Sequence, residues 1–199
     1  MTHSSHTAVA FLNRRVALAS AGAAAVGLTG LRPARAHDDD LAAHPLAGTW
    51  LAMANPPLPD DPQFPATSLF ASDGTVLLVF PASQTGPQGP FLSSAALGLW
   101  EAETDQRGSF TAVQIMSAPD GTLLGSVTIE GHPEVSADGQ TFIDDGSLAT
   151  ITMRDASGAI INQIVPTGSP QGRPVTAVRM AVGVSGFPES PATDATPTS

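Results

Sequence analysis

Glu130, His132 and Glu134 alternate along one short stretch. Two carboxylates flanking an imidazole form a set that could bind a metal ion or pass protons as general acid and base. In an extended chain residues two apart share a face, so the three side chains project together. The same alternation puts Val127, Ile129 and Val135 on the opposite face, which must be the core side, and this assigns the trio to a solvated outer surface. A second constellation uses histidine alone. If the chain is cut after Ala36, His37 carries a free amine, and that amine with its ring nitrogen makes a copper-binding set once His44 or His132 completes it. The alternative is that His37 simply begins an acidic tail.

Other chemistries are thinner. Asp38–Asp40, Asp60–Asp61 and Asp144–Asp145 are carboxylate clusters in an expected tail, loop and strand end, where solvated acids are ordinary. Asp144-Asp145-Gly146 lacks the ligand spacing of a calcium loop. No Gly-x-Ser-x-Gly elbow and no phosphate-cradling glycine motif occurs. With no cysteine, thiol redox chemistry, cysteine metal sites and disulfides are all excluded. No catalytic residue stands out and no cofactor is implied. Trp50, Met53, Trp100, Phe110, Met116 and Phe142 could line an apolar cavity, ordinary core packing being the alternative.

What would position these groups is a series of short extended runs. Candidate strands cover 48–54, 67–72, 75–81, 95–103, 109–118, 123–136, 140–144, 148–154, 159–166 and 174–182. Turn residues separate them: Asp73-Gly74, Arg107-Gly108, Pro119-Asp120-Gly121, Asp138-Gly139 and Ser157-Gly158. Asp-Gly supplies the positive φ that tight hairpins need. Beyond the N-terminal region no segment keeps a 3.6-residue apolar period, and proline recurs too often for long helices. This pattern predicts an all-β fold, an antiparallel meander β-barrel of about 8–10 strands. Five prolines between Asn55 and Pro65 predict an extended loop, and 82–90, rich in Gly, Pro and Gln, predicts a second. Such loops either shape the mouth of a barrel or serve as rigid connectors.

The two ends differ from this middle. Arg14 and Arg15, an uncharged stretch from Val16 to Leu31 and then Ala34-Arg35-Ala36 resemble a twin-arginine export signal with a small-x-small cleavage site. The stretch is only mildly apolar, whereas a membrane span needs about 20 strongly apolar residues, so no permanent span is expected. The organisation read from this is a signal peptide at 1–36, an acidic linker at 37–45, a β-barrel domain at 46–184 and a disordered tail at 185–199. The expected partners in transit are the twin-arginine translocon and signal peptidase, and the destination is the periplasm, cell wall or exterior. Beyond residue 36 four arginines stand against eighteen acidic residues, a formal charge of −14. Such a chain repels phosphate backbones and anionic headgroups, which disfavours nucleic acid and peripheral membrane as partners.

Gly48-Thr49-Trp50 at the start of the first expected strand resembles the Gly-x-Trp motif of lipocalins and other calycin barrels. In that family the tryptophan plugs the closed end, and an arginine of the last strand packs across its ring. Arg179 lies on the last expected strand here, so the resemblance implies a Trp50–Arg179 closure. It extends over about 46–184 and to uncharacterised bacterial lipocalin-like exported proteins, with allene oxide cyclase and dirigent barrels as architectural neighbours. Gly98-Leu99-Trp100 repeats the motif in mid-chain, and the later lipocalin motif built on Asp and Tyr has no counterpart because tyrosine is absent. The function this implies is binding of a small apolar ligand. The alternatives are a barrel enzyme of cyclase or isomerase type, and a packed structural or interaction barrel.

Overall fold

In the segment 48–54 Trp50, Ala52 and Ala54 are buried while Leu51 and Met53 are half-exposed, and this two-residue period repeats along 64–70 and 75–79. A chain with that period can bury its apolar side only by forming sheet. The computed structural model describes residues 38–56, 61–86, 89–169 and 172–183. The expectations for the signal residues Arg14, Arg15, Ala34 and Ala36, for His37 and for the tail after residue 183 lie outside the described residues.

A short helix, α1 (Asp38–Ala43), is followed by thirteen strands: β1 (Gly48–Ala54), β2 (Phe64–Phe70), β3 (Thr75–Val79), β4 (Ser83–Gly86), β5 (Gly89–Ser93), β6 (Ala96–Ala102), β7 (Gly108–Ser117), β8 (Leu123–Gly131), β9 (Glu134–Val135), β10 (Thr141–Asp144), β11 (Thr150–Asp155), β12 (Ile160–Ile164) and β13 (Val175–Arg179). Eleven form one sheet in the order β12-β11-β8-β7-β6-β3-β2-β1-β13-β10-β9, with the β4–β5 hairpin attached to β7 through β5. The strand pairs are antiparallel, so the fold is all-β, a curled sheet forming a half-barrel.

At one end the two sides of the half-barrel meet. β8 and β9 are one strand bent at His132-Pro133. Phe110↔Gly131 on β7 and β8 and the bridge Arg107↔Glu134 continue a single register across the bend. Gly108 N–H donates to Pro133 O at 3.1 Å and Val135 N–H to Gln106 O at 2.9 Å. The end strand β9 thus returns to touch the start of β7. Beyond the bend the strand pairs with β10 as β9, and before it the strand pairs with β11 as β8.

Each of the ten expected runs overlaps a strand, and the departures have local causes. The run 123–136 is two strands because proline cannot donate to a ladder. Asn55–Pro65 is not all loop: β2 begins at Phe64, with Pro65 opposite Met53. The Gln63 side chain, just before β2, ties β1 to the entry of β13, donating to the Met53 carbonyl at 3.4 Å and to the Pro174 carbonyl at 2.9 Å. The expected loop at 82–90 holds the β4–β5 hairpin. The expected linker forms α1, with Leu41 and then His44 buried. The meander holds from β1 to β3 and from β6 to β8, but β13 inserts between β1 and β10. The core is centred on Trp50, Phe70, Val76, Trp100 and Phe142, with Leu46 closing over it.

Candidate functional site

The closed end is built around an arginine. The Arg179 guanidinium carbon lies 4.2 Å from the Trp50 ring centroid, a cation–π stack. Its Nε donates to Gly139 O at 2.7 Å and its Nη1 to Ala47 O at 2.9 Å, and Nη2 donates to Pro45 O. Burial pulls its pKa below the usual arginine value. Gly48 makes room for it: its φ is +134°, and a Cβ there would sit 2.6 Å from Arg179 Nη1. Trp50 is wholly buried and donates its indole N–H to Leu46 O at 2.9 Å.

His44 belongs to the same end. Leu46 N–H donates to its Nδ1 at 3.1 Å, which fixes Nδ1 as acceptor and leaves Nε2–H to donate to Thr104 O at 2.9 Å. Its ring lies 5.6 Å from that of Trp100. With both nitrogens bonded, His44 is a structural pin and not a free metal ligand. His132 is also engaged: its Nδ1 lies 2.9 Å from Glu103 Oε1, while Glu103 Oε2 takes the Arg107 Nε–H at 2.9 Å. Glu130, His132 and Glu134 lie on the outer side of the bent strand, yet among the described residues no three His, Asp or Glu groups gather closely enough to hold a metal ion. His132 is drawn to the β6–β7 turn, where it helps fasten the place at which β9 meets β7.

Between the sides of the half-barrel lies a cavity of about 220 Å³, partly open to solvent. Its origin is local. Ala52, Ala54 and Ala66 face inward on two central strands, and their small side chains leave space that leucines would occupy. Phe70, Phe80, Phe110 and Phe142 form the aromatic walls, and Phe70 meets Phe110 and Phe142 edge-on at 5.8 and 6.4 Å. Ala149, Ile164 and Arg173 stand at the rim. The Arg173 guanidinium hydrogen-bonds the Asp61 carbonyl.

Two polar side chains project from inward positions of the lining, to which Asn55, Thr67, Glu130 and Arg173 also contribute. Asp144, next to Phe142 on the inner side of β10, accepts His132 N–H through Oδ2 at 2.8 Å and Gly146 N–H through Oδ1 at 2.9 Å. It satisfies the backbone at the β8–β9 bend, so its expected place in a solvated cluster is corrected. Gly131 permits this approach, since a Cβ there would lie 2.7 Å from Asp144 Oδ2. Ser68 is the other. It borders the cavity, is 6 % exposed, and its Oγ is the one buried side-chain polar atom among the described residues without a hydrogen-bond partner.

Of the six residues expected to line a cavity, Phe110 and Phe142 do so. Trp50 and Trp100 pack inside the closed end instead, and Trp100 donates its indole N–H to Ala71 O at 2.7 Å. Met116 is buried on the inner side of β7 but away from the cavity. Met53 is half-exposed on the outer face, because Trp50 pointing inward sends odd-numbered residues of β1 outward. Ser68 is not among the residues that the sequence singles out. The available signal was its place between Ala66 and Phe70, an inward register with apolar residues two before and two after.

In comparisons with known proteins, no family model, no curated protein and no solved structure matches this chain.

Proposed function

We propose that this chain is an exported, lipocalin-like carrier that holds a small, mainly apolar molecule inside its half-barrel. The carrying observation is the apolar cavity beneath the mouth, walled by four phenylalanines. The Trp50–Arg179 closure supports the lipocalin-like assignment, and the Arg14-Arg15 to Ala36 pattern supports export and cleavage before His37. Burial of the ligand supplies affinity, and the acidic exterior keeps the carrier soluble. A packed structural barrel would have its interior filled, and the cavity weighs against that reading.

The test is native mass spectrometry of the protein recovered after export from its own host, beside an Ala66→Phe variant. The expected result is a mass beginning at His37 with an organic adduct that the variant loses. Filling the cavity should leave the strand signal in circular dichroism intact and raise stability by about 0.5–2 kcal/mol. A bare wild-type mass, with no uptake of added apolar probes, would sink the carrier.

A reading of another class, a cyclase or isomerase barrel, draws on Ser68, an inward hydroxyl without a structural partner. Against it, no histidine among the described residues borders the cavity, and both Asp144 oxygens are already engaged. Turnover of the recovered ligand by the purified protein would favour the enzyme. Release of the ligand unchanged would favour the carrier.

A further inference from the structure

We infer that Ser68 is the polar anchor of the cavity and that the ligand it selects is an uncharged apolar molecule with one oxygen head, an alcohol or a carbonyl compound. This rests on the carrier reading. Ser68 stands between Trp50 and Leu78 in cross-strand register, in the row that forms the closed end, so the head would lie deep and the apolar body toward the rim.

A buried hydroxyl without a partner is costly, and native chains seldom keep one where alanine would fill the place. Ser68 borders the cavity, and a turn about its χ1 would bring the buried Oγ to a bound group, the missing partner. A serine hydroxyl turns about one bond and both donates and accepts, so it serves a ligand hydroxyl or carbonyl equally.

Charge is excluded where the head would lie, since Arg173, the cation on the cavity lining, stands at the rim and bonds the Asp61 carbonyl. Ser68 is flanked inside the barrel by Ala66 and Phe70, and the nearby Arg179 spends its guanidinium on three carbonyls and the Trp50 ring. A carboxylate head would lose its water for a single hydroxyl bond, an unfavourable exchange. Asp144 on the same cavity wall adds repulsion toward an anion. The volume, about 220 Å³, falls below the roughly 300–1,000 Å³ of pockets for drug-sized molecules, which points to a single-ring or short-chain compound.

The experiment titrates full-length wild-type protein and a Ser68→Ala variant with acetophenone, with its oxygen-free analogue ethylbenzene and with benzoate, by isothermal calorimetry. Thermal melts of both unliganded proteins accompany it. The expected result is that wild type binds acetophenone about three- to tenfold more tightly than Ser68→Ala does, the worth of one hydrogen bond. Ethylbenzene should bind the variant at least as well as wild type, and benzoate should bind neither. The unliganded variant should melt at a higher temperature than wild type, since it no longer buries an unpaired hydroxyl. Equal affinity of both proteins for acetophenone, with ethylbenzene also bound, overturns the Ser68 anchor and leaves the carrier standing. Binding of benzoate as tight as that of acetophenone overturns the uncharged class. If no probe binds either protein, the carrier reading fails and this inference with it. A variant that melts lower while binding acetophenone unchanged makes Ser68 structural and overturns the anchor.

Discussion

At the scale of single residues, Arg179 shows how much of the closed end depends on a planar, forked cation. It meets carbonyls of Pro45, Ala47 and Gly139 while its face lies on Trp50. Lysine keeps the charge but can neither stack flat nor reach three diverging acceptors. Arg179→Lys is therefore expected to lower stability by about 2–3 kcal/mol in urea denaturation, through lost charge-assisted bonds and stacking. A change within about 0.5 kcal/mol would mean the contact is ornamental. This pair was legible in the sequence because Gly48, Trp50 and an arginine on the last strand are unusual residue types in telling places. Ser68 was not legible in the same way. Its meaning lies in a hydrogen bond that is missing, and only the packing of Ala66, Phe70 and Leu78 around it reveals that.

At the scale of elements, the turns share one device. Asp73, Asp120, Asp138 and Asp155 each accept a backbone N–H from the residue two positions on through Oδ1, and a glycine in the same turn closes it with a backbone bond. These hydrogen bonds to the ionised carboxylates hold their pKa values below the ordinary aspartate value, Asp138 and Asp155 chiefly through Ser136 and Ser157. A lowered folded-state pKa means that ionisation favours the native state. The stabilisation is complete above the unfolded aspartate value of about 3.9 and is lost as pH falls through the lower folded values. The melting temperature should fall with acid in that window. Asp138→Asn, which keeps an acceptor without a titrating charge, should make the fall shallower, and an unchanged acid limb would refute the role given to the turn. The sequence announced three of these turns through Asp-Gly and the fourth through Ser157-Gly158. It did not announce β4–β5, because Gly and Pro in 82–90 read as loop, nor the start of β2, because the prolines up to Pro65 read as loop as well.

At the scale of the whole molecule, the curled sheet distributes its neighbours unevenly. β1, β2 and β7 are flanked on both sides, whereas β12 pairs only with β11 and all five of its residues are exposed. In hydrogen exchange the amides of β12 on its unpaired side should therefore exchange orders of magnitude faster than those of β1 and β2. Protection equal to that of β1 would require another chain to cover the edge. The antiparallel all-β character was readable from period-two alternation, but the curl was not. It depends on a strand changing partner at Gly131-His132-Pro133 and on Asp144 reaching across to the freed amide, contacts more than ten positions apart. One optical consequence follows from where the curl closes. The chain has no tyrosine, and both tryptophans are buried at the closed end with their indole N–H groups on carbonyls. Tryptophan emission therefore comes from that end alone. Trp50 is the cross-strand neighbour of Ser68, so a guest seated against the serine should quench or shift its light, and one lodged at the rim should leave it dark to the exchange.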